Sequence, residues 1–300
     1  MQNIRIPPNA TIALIGKYNA QGILEPLRAI AAMLLQRGHT VLVDQATAQH
    51  GDLSQCTPAT LDEIGQRAQL AVVVGGDGTL LGIARQLAPH AVPLIGINQG
   101  RLGFMTDIPL AQANQALQSI LDGQYEAEQR TMLHAQVVRD EQEIFASVAV
   151  NDVVVSRGSN GGLVELSVAV NGQPMTTQRA DGLIVATPTG STAYALSASG
   201  PILHPQLAGL LLVPIAPHAL TNRPIALPDD SHIEITIRGG RAISAHFDMQ
   251  SYTEIQEGDR IRVQRSHHHV RLLHPVGYNY FAMLREKLHW NTSPLLDAEK

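Results

Sequence analysis

The stretch that most limits what this chain can fold into is AVVVGGDGTLLGIARQL, Ala71 to Leu87. The apolar run Ala71 to Val74 suits a strand buried on both faces. It runs straight into Gly75-Gly76-Asp77-Gly78-Thr79, and a helical pattern follows from about Thr79 to Leu87. A buried strand that turns at once into a helix is part of a β-α-β unit, which needs parallel strands beside it. Such strands are on hand in TIALIG (Thr11 to Gly16), Val41 to Val43, and PLIGIN (Pro93 to Asn98). Between the first two, Leu27, Ile30, Ala31, Leu34 and Leu35 share a helical face, and Gly38 is placed to end it. Asp107 and Pro109 read as the N-cap region and early proline of a helix over LAQANQALQSILDG, closed by Gly123. The alternation predicts an α/β domain with a parallel sheet.

After about Gln124 the texture changes. LHAQVVRD and EIFASVAV read as a hairpin, and so does LVELSVAV with Asn171-Gly172, a pair suited to a type I′ turn. LLLVPIA, HIEITI, AISAHFD and RIRVQ are also strand-like, so this region is mainly β. YNYFAMLREKLHW reads as a closing helix.

The 300 residues suit two domains, and the 44% hydrophobic content supports a packed core. The net charge is -5, with Lys and Arg scattered, which argues against a nucleic-acid or membrane surface. Any anionic ligand is then held locally. The single cysteine, Cys56, forms no intramolecular disulfide and points to a reducing compartment. The amino terminus lacks the apolar region of a signal peptide, and no apolar run approaches the ~20 residues of a membrane span. A soluble, cytoplasmic protein is expected.

The glycine-rich turn has the makings of a phosphate cradle. Glycines let a phosphate approach the backbone, and a helix start offers unpaired N–H groups and partial positive charge. The turn matches neither the P-loop nor the G-x-G-x-x-G fingerprint. What sets it apart is Asp77, an acid that bound phosphates repel. Such an acid needs a reason, either proton acceptance from an attacking hydroxyl or a divalent cation on the phosphates. A bare structural turn remains the simpler reading of a lone Gly-rich loop, but the glycines, acid and Thr together favour function.

ATPTGSTAYALSASGP, Ala186 to Pro201, follows the apolar run LIVA, which is expected to deliver it to a sheet edge. Its hydroxyls (Thr187, Thr189, Ser191, Thr192, Ser197, Ser199) could donate to phosphate and sugar oxygens, with Tyr194 stacking or donating. By composition it serves equally well as a Ser/Thr-rich loop before a helix of small residues. Asn151-Asp152 and the Arg179, Asp181 pair stand before apolar runs, and singly read as solvated strand ends. His267-His268-His269 alternate faces if extended, so they rarely converge on one metal ion.

Together, GGDGT at 75–79, Asn151-Asp152 and TPTGSTAY at 187–194 resemble the signature motifs of the NAD kinase family, in the family's order. The likeness extends to Asn98-Gln99-Gly100-Arg101-Leu102-Gly103-Phe104 and to Arg179–Pro201. GGDG alone is shared with diacylglycerol-type lipid kinases; TPTGSTAY makes the match specific. Asp152 stands where some members carry Glu.

The resemblance implies a Rossmann-like α/β domain over 1–125, a β-rich NAD-binding domain over 126–275, and residues 276–300 packing back on the first domain. It places NAD in the cleft between the domains. It makes Asp77 the catalytic acid-base residue, with Gly75, Gly76, Gly78 and Thr79 facing phosphates. Asp77 and Gly78 also reach NAD, as do Asn151, Asp152, Arg179, Asp181, the run Thr192, Ala193, Tyr194, Ala195, Leu196 and Ser197, and, as a weaker match, Gln250. Arg179 stands where members preferring NAD to NADH tend to carry a basic residue. The implied partners are NAD and ATP, with Mg²⁺ arriving on ATP and no metal ligand assigned to the protein, in a homodimer or homotetramer. A lipid kinase sharing GGDG and a non-catalytic NAD sensor are the rival readings.

Overall fold

The computed structural model describes residues 4, 6–16, 22–49, 53–100, 103–158 and 161–290. The chain divides into two compact units, one within Met1–Gln129 and Arg271–Lys300, the other Arg130–Val270.

In the first unit the strands are β1 (Thr11–Gly16), β2 (Thr40–Asp44), β3 (Thr57–Ala59), β4 (Leu70–Gly75) and β5 (Leu94–Asn98), all parallel, in the order β3-β2-β1-β4-β5. The helices are α1 (Leu24–Gln36), α2 (Gln45–Ala48), α3 (Leu61–Arg67), α4 (Asp77–Leu87) and α5 (Ala113–Leu121). Every residue of β4 is buried, as a sheet covered on both faces requires. Leu27, Ile30 and Leu34 of α1 and Leu117 and Ile120 of α5 join Leu14, Val72, Val74 and Ile97 in one core. α4 packs on β4 and β5 and meets α3. It begins at Asp77, two residues before the expected start.

The expectation for Asp107 and Pro109 is corrected. Ile108–Pro109 is a short strand, β6, beside β5; a 3-10 turn, Leu110–Gln112, follows, and α5 starts only at Ala113. Pro109 is extended (φ −62°, ψ 142°), and the Asp107 carboxylate is taken by His274. A buried ion pair won over helix capping.

In the second unit β9 (Asp152–Arg157), β12 (Gly182–Ala186), β13 (Gly209–Ile215), β14 (Ile225–Pro228), β16 (Ile243–Phe247) and β17 (Ser251–Ile255) form an antiparallel sheet, ordered β14-β13-β12-β9-β16-β17. The hairpins β7 (Tyr125–Arg139) with β8 (Gln142–Ala149) and β10 (Val164–Val170) with β11 (Gln173–Ala180), together with β15 (Ile233–Gly239) and β18 (Arg260–Pro275), supply the remaining strands, the start of β7 before Arg130 and the end of β18 after Val270 belonging to the first unit. β10 pairs with β15, and β15 with β18, which is far longer than RIRVQ alone suggested. Val153, Val155, Leu183, Val185 and Phe247 from the six-stranded sheet share a core with Leu166, Ile235, Ile261 and Val263. Asn171 and Gly172 have φ +52° and +76°, as a type I′ turn demands. Tyr194–Ser197 is a short helix, α6; Tyr280–Leu288, capped by the Asn279 side chain, is α7 and belongs to the first unit. Among the described residues no helix is long and apolar enough to cross a membrane.

Candidate functional site

The first unit's strand order changes direction between β1 and β4, since β1 leads towards β2 and β3 while β4 leads towards β5. At such a point the loops leaving the carboxyl ends of neighbouring strands part and open a crevice. The glycine-rich turn leaves β4 there. Gly75 ends the strand, Gly76 is the N-cap residue and Asp77 is the first residue of α4. A methyl added at Gly75 would lie 2.8 Å from Thr79 Oγ1, so packing demands that glycine. Among the described residues methyls at Gly76 or Gly78 would meet nothing within 4 Å, and Gly76 has an ordinary φ of −110°. Neither packing nor strain explains these two. Their missing side chains keep the space before the helix start open, as a phosphate cradle needs.

The Asp77 carboxylate has a role that local sequence could not reveal. Oδ2 accepts the Phe104 N–H at 2.7 Å, while Oδ1 accepts the Met105 and Thr106 N–H groups and the Thr106 hydroxyl, each at 3.0 Å. The acid therefore gathers a loop, and donors 27 to 29 residues away, rather than its own helix start, hold it in place. A methyl at Gly103 would overlap this carboxylate. Asn98 Nδ2 donates to Thr106 Oγ1 at 2.9 Å and Asn98 Oδ1 accepts the Gly100 N–H, which braces the loop from β5. Arg101 and Leu102 lie outside the described residues.

The second unit repeats the device around Asn151-Asp152. The Asp248 carboxylate accepts the N–H groups of Val150 (2.7 Å), Asn151 (2.7 Å) and Asp152 (3.1 Å). Asp248 is buried in a tight turn with φ +53°, followed by Met249 at +55°. On the other side the Thr187 hydroxyl donates to the Val150 carbonyl at 2.6 Å, and the Thr187 N–H to that of Asn151 at 2.9 Å. A methyl at Gly190 would overlap the Asn151 carbonyl. Asp152 is itself buried; burial first, then the Asp248 charge, push its carboxyl up to about 7. Asp248 is the residue the sequence reading missed. Its only signal was its place beside Gln250.

TPTGSTAY leaves the end of β12, an interior strand, and not a sheet edge. Much of its hydroxyl content is used within the protein. Thr187 and Ser191 are fully buried; Ser191 Oγ donates to Pro188 O, and Thr192 Oγ1 to Thr189 O. A 3-10 turn, Gly190–Thr192, leads into the short helix α6. Ala195 is buried, whereas Tyr194 and Ser197 are exposed. Arg179 and Gln250 are exposed. Asp181 is engaged by Arg157, Nε to Oδ1 at 2.6 Å and Nη2 to Oδ2 at 3.3 Å.

Among the described residues no group of three or more His, Cys, Asp or Glu could hold a metal ion. His274, stacked on Tyr278, bridges Asp107 (2.9 Å) and Glu128 (3.2 Å); burial lowers its affinity for a proton, but the carboxylates outweigh this and raise it.

Comparison with known proteins accounts for both halves. Residues 12–125 match the ATP-NAD kinase N-terminal domain and 150–275 the ATP-NAD kinase C-terminal domain. An NAD kinase of Burkholderia thailandensis is 57% identical over 284 residues, 95% of either chain. One of Ralstonia nicotianae is 56% identical over 290 residues, 97% of this chain and 96% of that one. Yeast NADH kinase complexed with NADH superposes with a TM-score of 0.88 at 26% identity, over 96% of this chain and 89% of that one. An Archaeoglobus fulgidus NAD kinase in complex with ATP shares the fold, with a TM-score of 0.75 at 24% identity over 93% of this chain and 98% of that one. Matched in both domains and over nearly its whole length, this chain belongs to the NAD kinase family.

Proposed function

We propose that this NAD kinase moves the γ-phosphoryl group of ATP to the 2′-hydroxyl of the adenosine ribose of NAD, with Asp77 taking the hydroxyl proton. The 2′-oxygen–phosphorus bond forms, the bond from the γ-phosphorus to the bridging oxygen breaks, and NADP and ADP leave. The reading rests on one observation: a carboxylate at an open helix start, oriented by loop amides, whose Oδ2 accepts only the Phe104 N–H among the described residues. A carboxylate oxygen has lone pairs enough for a second donor, so Oδ2 can take a hydroxyl proton without releasing the loop. Phosphoryl transfer depends mainly on positioning and charge stabilisation, so a modest base suffices.

The division of labour follows the motifs. The first domain, 1–125 with 276–300, presents Gly75, Gly76, Gly78 and Thr79 to phosphate. The second, 126–275, offers Asn151, Asp152, Arg179, Asp181, Thr192–Ser197 and Gln250 to NAD. The Arg157 bond to Asp181 leaves that carboxylate lone pairs for ribose or amide donors. Magnesium usually keeps several waters and binds through nucleotide phosphates and few protein groups. Asp77 and its neighbours suit an ion that arrives with ATP, where it would offset charge on the transferring group. The setting is a cytoplasmic homodimer or homotetramer, for which the exposed Ile225 and Tyr252 on the two outer strands of the six-stranded sheet offer contact.

Product analysis after mixing protein, Mg-ATP and NAD tests the reading, with NAD lacking the adenosine 2′-hydroxyl as control. NADP from NAD and none from the control is expected. Absence of NADP overturns the proposal.

A further inference from the structure

A cavity of about 890 Å³, in the size range of small-ligand sites, lies within the first unit against Asn98, Gly100, Glu286, Lys287 and His289. It adjoins the glycine-rich turn: Asn98 pairs with Gly75 between β5 and β4, and the Gln99 N–H donates to the Gly75 carbonyl at 3.2 Å. Across it, α7 brings the half-buried Lys287 over the Phe104 ring, Nζ 5.9 Å from the centroid. Phe104 is the residue whose N–H holds Asp77 Oδ2, so one residue separates the ammonium from the proposed proton acceptor. Among the described residues no carboxylate pairs with Lys287. Glu286 is exposed to solvent, and the Asp107 carboxylate that also lines the cavity is paired through Oδ2 with His274.

The glycines sharpen the case. Among the described residues a methyl at Gly100, as at Gly76 and Gly78, would meet nothing within 4 Å. Open backbone thus continues from the helix start into the cavity, towards a cation that no carboxylate among the described residues pairs with.

We infer that this cavity holds the polyphosphate of the donor nucleoside triphosphate, with Lys287 as the cation that grips it. The inference deepens the proposed function and rests on Asp77 lying beside the transferred group. Lys287 lowers the charge on the phosphate oxygens as the bond to the leaving ADP breaks.

Calorimetric titration with a non-hydrolysable ATP analogue, and separately with NAD, tests this on wild type, Lys287→Met, Lys287→Arg and Gly100→Val. Loss of a charge-assisted contact predicts analogue binding about 10- to 100-fold weaker in Lys287→Met, with most affinity kept in Lys287→Arg. Gly100→Val adds bulk to the cavity lining and is expected to weaken the analogue likewise. NAD affinity should stay unchanged throughout. Wild-type analogue affinity in Lys287→Met or Gly100→Val, or an equal fall for NAD, overturns the inference. Wild-type NADP formation is scored apart: its absence sinks the proposed function, whereas its presence alongside unchanged analogue binding sinks only this site.

Discussion

Asp77 in the first unit and Asp248 in the second perform the same local act with different results. Each carboxylate gathers three consecutive backbone N–H groups, those of 104–106 and those of 150–152. Asp77 stands at a partly exposed helix start among glycines that leave open space. Asp248 is shut inside a turn. One carboxylate is fixed beside open space; the other is buried against the segment it holds. A hydrogen-bonded acid is therefore no sign of catalysis by itself. The open space beside it decides.

The largest effect that would break this comparison is on turnover. Asp77→Asn is expected to lose on the order of 10²–10⁴ in kcat, the range for a positioned general base. Its amide also sets one N–H against the loop donors, so a lower melting temperature should accompany the loss. Near-normal kcat would make Asp77 a loop clamp like Asp248. Next comes Asp248→Ala, which strands three amides and should destabilise by about 3–5 kcal/mol. If denaturant unfolding shows less than about 1 kcal/mol, water replaces the carboxylate and the 150–152 segment does not depend on it.

The two units should also differ in pH response. The Asp152 carboxyl titrates near 7 when folded against an ordinary 3.8, so the native state holds the extra proton between these values. Stability should fall as pH rises across that window, by a few kcal/mol at most at about 1.4 kcal/mol per pKa unit. Asp152→Asn should flatten the slope; an unchanged slope would mean that water reaches the carboxylate. His274 holds its proton more tightly than usual, so its contribution is complete below about 6.5 and is lost as pH climbs through its raised folded value. His274→Gln should remove that higher window alone.

The smallest change is Gly76→Ala. With nothing within 4 Å of the added methyl, the melting temperature should move little. The KM for ATP should rise several-fold through crowding of the cradle; an unchanged KM would place the phosphates elsewhere.

Much of this was legible in the sequence because the signals were local. Apolar runs and helical faces marked β1, α1, β4 and β5, and Asn171-Gly172 marked its hairpin. The glycine run marked the junction where β4 turns into α4. Asp107 misled because capping is a local preference, and a distant imidazole in the interior outweighed it. The hydroxyls of TPTGSTAY left two readings level because composition counts donors without saying where they point. Thr187 and Ser191 point inward.

By itself the sequence determined the alternation that makes an α/β unit, the β-rich second unit and the family, since each is carried by short motifs or local patterns. Only the tertiary structure decided that Asp77 is held by residues 104–106, that Asp248 grips residues 150–152, and that Lys287 stands over Phe104. A carboxylate or an ammonium looks alike at any position in a sequence. What it does depends on which amides, charges or open space folding sets against it, and those partners come from 27 to more than 180 residues away.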